Sequence, residues 1–337
     1  MTQAEPKRIL AVRVGRAGDA VMITPALRML LDGFPDAELH LLTSADGRRI
    51  LRGFDPRLAC FHLYHRRFPG SVLLRPRLRA ALRREGYERV YLFESDPHHR
   101  ALVAGVASEI HALGPAVPGR HYCDRCLDVV EPTLLCPQPR GWVSLPVSDA
   151  ARRAAADYLG AHGLAEGDRL VGLHLTFSES ARGLFAGRSG LKHRVWSPAA
   201  GAELARRLVE HGRAQGRPIR PVVDVLPHER GLLAGFLERA GDAVTVLSGP
   251  PDFKRYEAVL ARLALLVTPN TGPMHVAAAV GTPVVALFSG WSPAECGPFV
   301  PPERARILRA EDTAEPGVGL AAIPAAAVFE ACRAFLP

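Results

Sequence analysis

Leu263-Ala-Leu-Leu-Val267-Thr268-Pro269-Asn270-Thr271-Gly272-Pro273-Met274-His275 is followed by Val276-Ala-Ala-Ala-Val280-Gly281. An apolar run that gives way to Asn-Thr-Gly-Pro, and then to an alanine-rich helical pattern, reads as strand, turn and helix start. The first turn of such a helix leaves backbone N–H groups without intrahelical partners and carries partial positive charge, so it suits a phosphate. His275 falls about one helical turn in, near the same end of the helix.

The same alternation extends in both directions. Strands are expected at Lys7 to Val14, Ala37 to Thr43, Arg89 to Phe93, Arg169 to Leu175, Ile219 to Leu226, Ala243 to Leu247 and Pro283 to Phe288. Helices are expected from about Ala20 to Gly33, Asp149 to His162, Pro198 to His211 and Ile323 to Leu336, with the arginine-rich stretch before Arg89 also helical. Strands that alternate with helices imply parallel, doubly wound sheets of the α/β class. Residues 114–148 are rich in Pro, Gly and Cys and read as loop plus crossover. Three parts follow: 1–148, 149–322 and a C-terminal helix in 323–337, expected to pack back toward the first part.

The 337 residues suffice for two domains. A hydrophobic share of 48% with 23% charged residues is globular and excludes a disordered or fibrous chain. Met1 to Arg8 is polar, unlike a secretory leader, and no run reaches the roughly 18 apolar residues of a transmembrane span. A cytoplasmic protein is expected. The net charge of +8 favours anionic partners. The basic residues are not interleaved with aromatics as in nucleic-acid binders, so no nucleic acid is expected.

Six cysteines are expected to be reduced in that compartment. His121, Cys123, Cys126 and Cys136 form one His/Cys set with a CxxC step, a candidate for metal. No second CxxC pair stands at zinc-site spacing, and a plain irregular loop is the alternative.

At the other end, Arg13-Val-Gly15-Arg-Ala-Gly18-Asp19 follows the first expected strand. It has neither the GxGxxG spacing of a dinucleotide fingerprint nor the GxxxxGK[ST] of a phosphate loop. Asp19 stands where ligands bind in open α/β sheets, beyond the carboxyl end of a strand. It is also a favoured helix-capping residue, and spacing alone leaves both roles open.

The segment Ile9-Leu-Ala-Val-Arg-Val-Gly-Arg-Ala-Gly-Asp-Ala-Val-Met-Ile-Thr-Pro-Ala-Leu27 resembles the start of the ADP-heptose–lipopolysaccharide heptosyltransferases, glycosyltransferase family 9. Thr271-Gly-Pro-Met-His275 is similar to that family's C-terminal signature, as is Gly281 to Phe288 followed by Ser292-Pro293. The resemblance implies a GT-B fold: two Rossmann-like domains facing a central cleft, the first binding acceptor and the second the nucleotide-sugar. It implies inverting transfer of a heptose from an ADP-sugar to a hydroxyl of a lipopolysaccharide-core or related glycan, without a metal or cofactor. A GT-B enzyme using another nucleotide-sugar or a small-molecule acceptor is the alternative.

By the same resemblance Asp19 matches the general base. Thr176 matches a donor-phosphate contact and Glu229 a ribose-binding carboxylate. Lys192, in Leu191-Lys-His-Arg-Val-Trp-Ser-Pro198, resembles the family's Lys-x-Trp-Pro element. The Lys-to-Trp spacing is longer here, so Arg194 is a second candidate for neutralising the leaving diphosphate. Asn270, Thr271, Gly272 and His275 complete the donor set. Asn270 stands where many relatives carry Asp. Arg13, Gly18, Arg66 and Arg67 are the acceptor-side candidates, and the basic chain is compatible with peripheral docking on the cytoplasmic face of an anionic inner membrane.

Overall fold

The computed structural model describes residues 7–64, 71–176, 194–226, 229–248 and 252–336. The chain divides into two compact units, Met1–Pro146 and Val147–Pro337. Each is a parallel α/β sheet.

In the first unit, β1 (Arg8–Arg13), β2 (Glu38–Thr43), β3 (Leu58–Leu63), β4 (Arg89–Leu92) and β5 (Glu109–Ala112) lie in the order β3-β2-β1-β4-β5. Strand β1 is central, and Ile9 to Val12 are fully buried because helices cover both faces of a parallel sheet. Helix α1 (Ala17–Val21) follows β1. The single helix expected from Ala20 to Gly33 is instead two, with α2 starting at Thr24 (Thr24–Gly33). Pro25 sits in the first turn of α2, where its missing N–H costs nothing, and Thr24 Oγ1 donates to Val21 O at 2.8 Å across the break. Helices α3 (Ala45–Leu51), α4 (Ser71–Arg84), α5 (Pro97–Val103) and α6 (Tyr122–Val130) complete the unit.

Within 114–148, expected as loop plus crossover with a plain loop as the alternative for the His/Cys set, Tyr122–Val130 form helix α6. Its buried residues Cys123, Cys126, Leu127 and Val130 recur at the helical i, i+3, i+4, i+7 spacing.

The second unit contains β6 (Arg169–Leu173), β7 (Ile219–Val225), β8 (Thr245–Ser248), β9 (Leu265–Pro269), β10 (Val284–Phe288) and β11 (Ala305–Arg309), ordered β11-β10-β9-β6-β7-β8. The helices are α7 (Asp149–Gly160), α8 (Pro198–Ala214), α9 (Arg230–Ala240), α10 (Phe253–Arg262), α11 (Gly272–Ala279), α12 (Pro293–Cys296) and α13 (Ala325–Arg333). Close packing inside the sheet requires Gly172: a Cβ there would meet Leu263 Cδ1 at 2.5 Å.

Helix α13 puts Val328 and Cys332 into the core of this second unit, beside α8. Trp196 Nε1 donates to Ile323 O at 2.9 Å and ties the approach to that helix. The buried apolar face of this helix belongs to the second unit's own core.

Rossmann-like sheets reverse strand order at one point. Here the reversals fall between β1 and β4 in the first unit and between β6 and β9 in the second. Ligands of such sheets bind beyond the carboxyl ends of the strands at that point.

A buried ion pair on α10 makes stability pH-dependent. Glu257 is almost fully buried, and Lys254 Nζ donates to both its carboxylate oxygens at 2.9 and 3.0 Å. Burial outweighs the lysine and pushes the carboxyl up to about 7. A carboxyl with a raised folded-state pKa stabilises fully below its unfolded value, and that contribution is lost as pH rises through the folded value. Wild type is therefore expected to lose stability relative to Glu257→Gln between about pH 4.5 and 7, read as the difference in melting temperature across a pH series. Parallel pH profiles would count against the assignment.

Candidate functional site

At the reversal point of the first unit, Arg13 ends β1 and Glu94 follows β4. The Arg13 guanidinium binds two carboxylates: Nη2 donates to Asp19 Oδ1 at 2.9 Å and Nη1 to Glu94 Oε2 at 3.2 Å. Nη1 also donates to Phe93 O at 3.3 Å, and the guanidinium lies over the Tyr122 ring, 4.6 Å from its centroid. Glu94 Oε1 accepts from the Val14 N–H at 2.8 Å.

The two carboxylates differ in environment. Glu94 is 11% exposed in its side chain and Asp19 33%. Burial raises the Glu94 pKa, with Arg13 and the Val14 N–H pulling the other way. Asp19 Oδ2 accepts from the Arg16 N–H at 2.8 Å, closing the first turn of α1. Capping and exposure thus coexist in one side chain. Gly18 is buried within α1, and Gly15 leaves the room Asp19 needs: a Cβ on it would lie 2.5 Å from both Asp19 Cβ and Oδ2. Arg66 and Arg67 lie outside the described residues.

At the reversal point of the second unit, Thr176 follows β6, and Asn270 and Thr271 follow β9. Thr176 is buried and its Oγ1 has no hydrogen-bond partner among the described residues, an arrangement that costs about 1–3 kcal/mol unless another group, a ligand or water completes it. Thr271 is the N-cap of α11, yet its Oγ1 donates back to Pro269 O at 3.2 Å rather than capping the helix. The first-turn N–H groups are therefore not taken up by that side chain. Gly272 begins α11, and His275 is buried one turn in. Arg194 Nη2 donates to Asn270 O at 3.3 Å, and a small recess is lined by Arg194, Asn270, Thr271, Ser289 and Trp291. The Asn270 side-chain amide is turned to Cys296 Sγ at 3.4 Å. Glu229 is buried and accepts from the Leu226 N–H at 3.2 Å, ahead of α9. Lys192 lies outside the described residues.

Sequence reasoning passed over Glu94 and a second network. His174 Nδ1 lies 3.0 and 2.9 Å from the two oxygens of Asp224, and Tyr256 Oη donates to Asp224 Oδ2 at 3.1 Å. Burial opposes the charge on His174, but Asp224 wins and its pKa is raised; that of Asp224 is lowered against burial, chiefly by His174. Both missed carboxylates stand at or just past the carboxyl end of an expected strand, the one signal that could have singled them out.

The His121/Cys123/Cys126/Cys136 set, the candidate for metal, is spread over a helix cap, the core and the surface. His121 caps α6, Nδ1 accepting from the Cys123 N–H at 3.1 Å, while Cys123 and Cys126 face the core and Cys136 is exposed. Among the described residues these four do not converge to ligand distance. Burial raises both core thiols, Cys126 to about 12, so they stay protonated.

Two parallel α/β units of this kind are the halves of the GT-B glycosyltransferase fold, and solved glycosyltransferases match the chain over nearly its whole length. A family model, Glycosyltransferase family 9 (heptosyltransferase), matches residues 95–318, and the chain belongs to that family. The family 9 glycosyltransferase from Veillonella parvula is similar in structure, with a TM-score of 0.81 at 19% identity over 98% of this chain and 97% of that one. The ADP-heptose LPS heptosyltransferase II of E. coli gives 0.73 at 19% identity over 98% of each chain. The E. coli heptosyltransferase WaaC with ADP gives 0.70 at 19% identity over 97% of this chain and 99% of that one. A lipopolysaccharide core heptosyltransferase, OpsX of Haemophilus influenzae, is 31% identical over 55 residues, a match spanning only 16% of each protein.

Two outcomes follow from the geometry. Gly15→Ala forces Asp19 out of its position and breaks its bonds to Arg13 and the Arg16 N–H, so a lower melting temperature is expected and, if Asp19 serves the transfer, turnover of the variant that remains folded should drop roughly 100-fold. Unchanged turnover would show that Asp19 placement is immaterial. Asp224→Asn removes the charge that raises His174, so its imidazole pKa should drop below the ordinary value of about 6.5, as read by NMR titration. A value that stays raised would mean another group controls it.

Proposed function

We propose that this glycosyltransferase moves a heptose from ADP-heptose to a hydroxyl of a lipopolysaccharide-core or related glycan, with inversion and without a metal ion or cofactor. The observation that carries the reading is the Asp19 carboxylate: one third exposed at a ligand-binding strand end, and held by Arg13 and the Arg16 N–H. As general base it takes the proton of the acceptor hydroxyl while that oxygen attacks the anomeric carbon. The bond from the anomeric carbon to the diphosphate breaks, and ADP leaves with the electron pair. Positive groups at the second unit's reversal point (Arg194 and the first turn of α11) stabilise the departing charge, a role metals play elsewhere, and Lys192 is assigned the same role by the family resemblance alone.

Thr176 Oγ1, buried and unpartnered, suits a donor phosphate oxygen; Asn270, Thr271, Gly272 and His275 complete that side, and Glu229 serves the ribose. Arg13 and Gly18 shape the acceptor side, with Arg66 and Arg67 available for acidic sugars or lipid phosphates. A net charge of +8 suits peripheral docking on the cytoplasmic face of the inner membrane, and no helix among the described residues is long and apolar enough to cross it.

Asn270 keeps a second reading alive, a different nucleotide-sugar or a small-molecule acceptor. Its amide donor is engaged by Cys296, and it lacks the charge of an aspartate. A screen of ADP-, GDP- and UDP-sugars, read as nucleotide release with and without lipid-core acceptor, separates the two. Acceptor-dependent release from ADP-heptose alone is expected. No release from ADP-heptose with any acceptor, alongside release from another donor, would replace the first reading with the second.

A further inference from the structure

Three side chains of the first unit meet outside the site described above. His40 lies on β2, and Cys60 and His62 lie on the edge strand β3. The parallel register pairs His40 with Cys60 and Leu42 with His62, so all three residues stand on one face of the sheet. One ligand atom from each lies within 4.8 Å of the other two, and among the described residues this is the one group of His, Cys, Asp or Glu side chains that converges in this way. We propose that His40, Cys60 and His62 bind a divalent transition-metal ion of the zinc type, which fastens the edge strand β3 to β2.

The donor set fits that chemistry. Two imidazoles and a thiolate are the ligands of zinc sites, and three protein ligands leave a fourth position. The Tyr87 hydroxyl bridges the two rings, 2.8 Å from His40 Nδ1 and 2.7 Å from His62 Nε2. That hydroxyl has one proton, so it donates to only one of the two rings and must accept from the other. An ion accepts electron pairs from both rings at once, with Tyr87 beside the fourth position. Behind His40, Nε2 lies 3.8 Å from Glu38 Oε2, and Glu38 is itself held by Arg8 Nε at 2.8 Å.

Cys60 Sγ is 3.9 Å from His62 Nε2, and bonds of about 2.0–2.3 Å to a tetrahedral ion need ligand atoms roughly 3.3–3.8 Å apart. Side-chain rotations of about 1 Å close that gap. His40 is buried, whereas Cys60 and His62 are half-buried on an edge strand, which gives an ion a way in. On binding, the Cys60 thiol loses its proton to solvent and the thiolate sulfur donates to the metal, with no change of oxidation state. None of the three ligands belongs to the residues assigned to sugar transfer, so the ion acts on the fold rather than on the reaction.

The test uses the full-length chain without a polyhistidine tag, reduced and stripped by chelator, then titrated with Co2+ and back-titrated with Zn2+. One equivalent of Co2+ is expected to bind, with a thiolate-to-cobalt charge-transfer band and the strong visible absorption of a tetrahedral ion, and Zn2+ should displace it. Zinc should also raise the melting temperature. Cys60→Ser should abolish the charge-transfer band, and His62→Gln should weaken binding by about tenfold or more. Cys136→Ser should change neither, and circular dichroism checks that each variant is folded. Absence of stoichiometric binding, binding without a thiolate band, or a spectrum unchanged in both Cys60→Ser and His62→Gln would overturn the proposal.

Discussion

Strand order reverses once in each sheet, on either side of β1 and on either side of β6, and the candidate chemistry depends on those two reversals. At such a point the flanking crossover helices run to opposite faces of the sheet and leave the carboxyl ends of two neighbouring strands uncovered. Polar side chains placed just past those ends are held by a rigid sheet while one side stays open to a ligand. Asp19 and Glu94 stand at the first such point, with Thr176, Asn270 and Thr271 at the second.

Within the first unit, Arg13 makes the arrangement workable. Two carboxylates brought together in a partly buried place repel, and burial pushes Glu94 toward its neutral form. The guanidinium fork meets both at once with separate nitrogens, as a lysine could not. The outcome is asymmetric. Glu94 is enclosed, anchored by the Val14 N–H, and raised in pKa, whereas Asp19 remains reachable. One carboxylate positions the arginine, the arginine positions the other, and Gly15 keeps the space.

Much of this was legible in the chain because parallel-sheet strands are buried on both faces and read as continuous apolar runs. Edge strands do not. Leu58–Leu63 and Glu109–Ala112 carry half-exposed polar residues and were passed over, and with β3 went the only hint of the His40/Cys60/His62 cluster. The C-x-x-C step at Cys123 read as metal-like because spacing cannot distinguish two ligands from two core positions on one helical stripe. Asp19 was readable from its place after the first strand, and the family resemblance gave it a role. Glu94 and Asp224 were not, since their partners lie 81 and 50 residues away in sequence and only the sheet brings them together. Glu229 was singled out by the family resemblance and Thr271 and His275 by their place at a helix start, but how each is held is a matter of packing that local pattern does not carry.

The central claim is that Asp19 takes the proton from the acceptor. Single-turnover transfer by Asp19→Asn, with donor binding measured on the same preparation, tests it most directly. The amide keeps the size of the side chain and removes its basicity. The account predicts donor affinity within error of wild type and a transfer rate lower by about 10²–10⁴-fold. Transfer at the wild-type rate by the folded variant would contradict it.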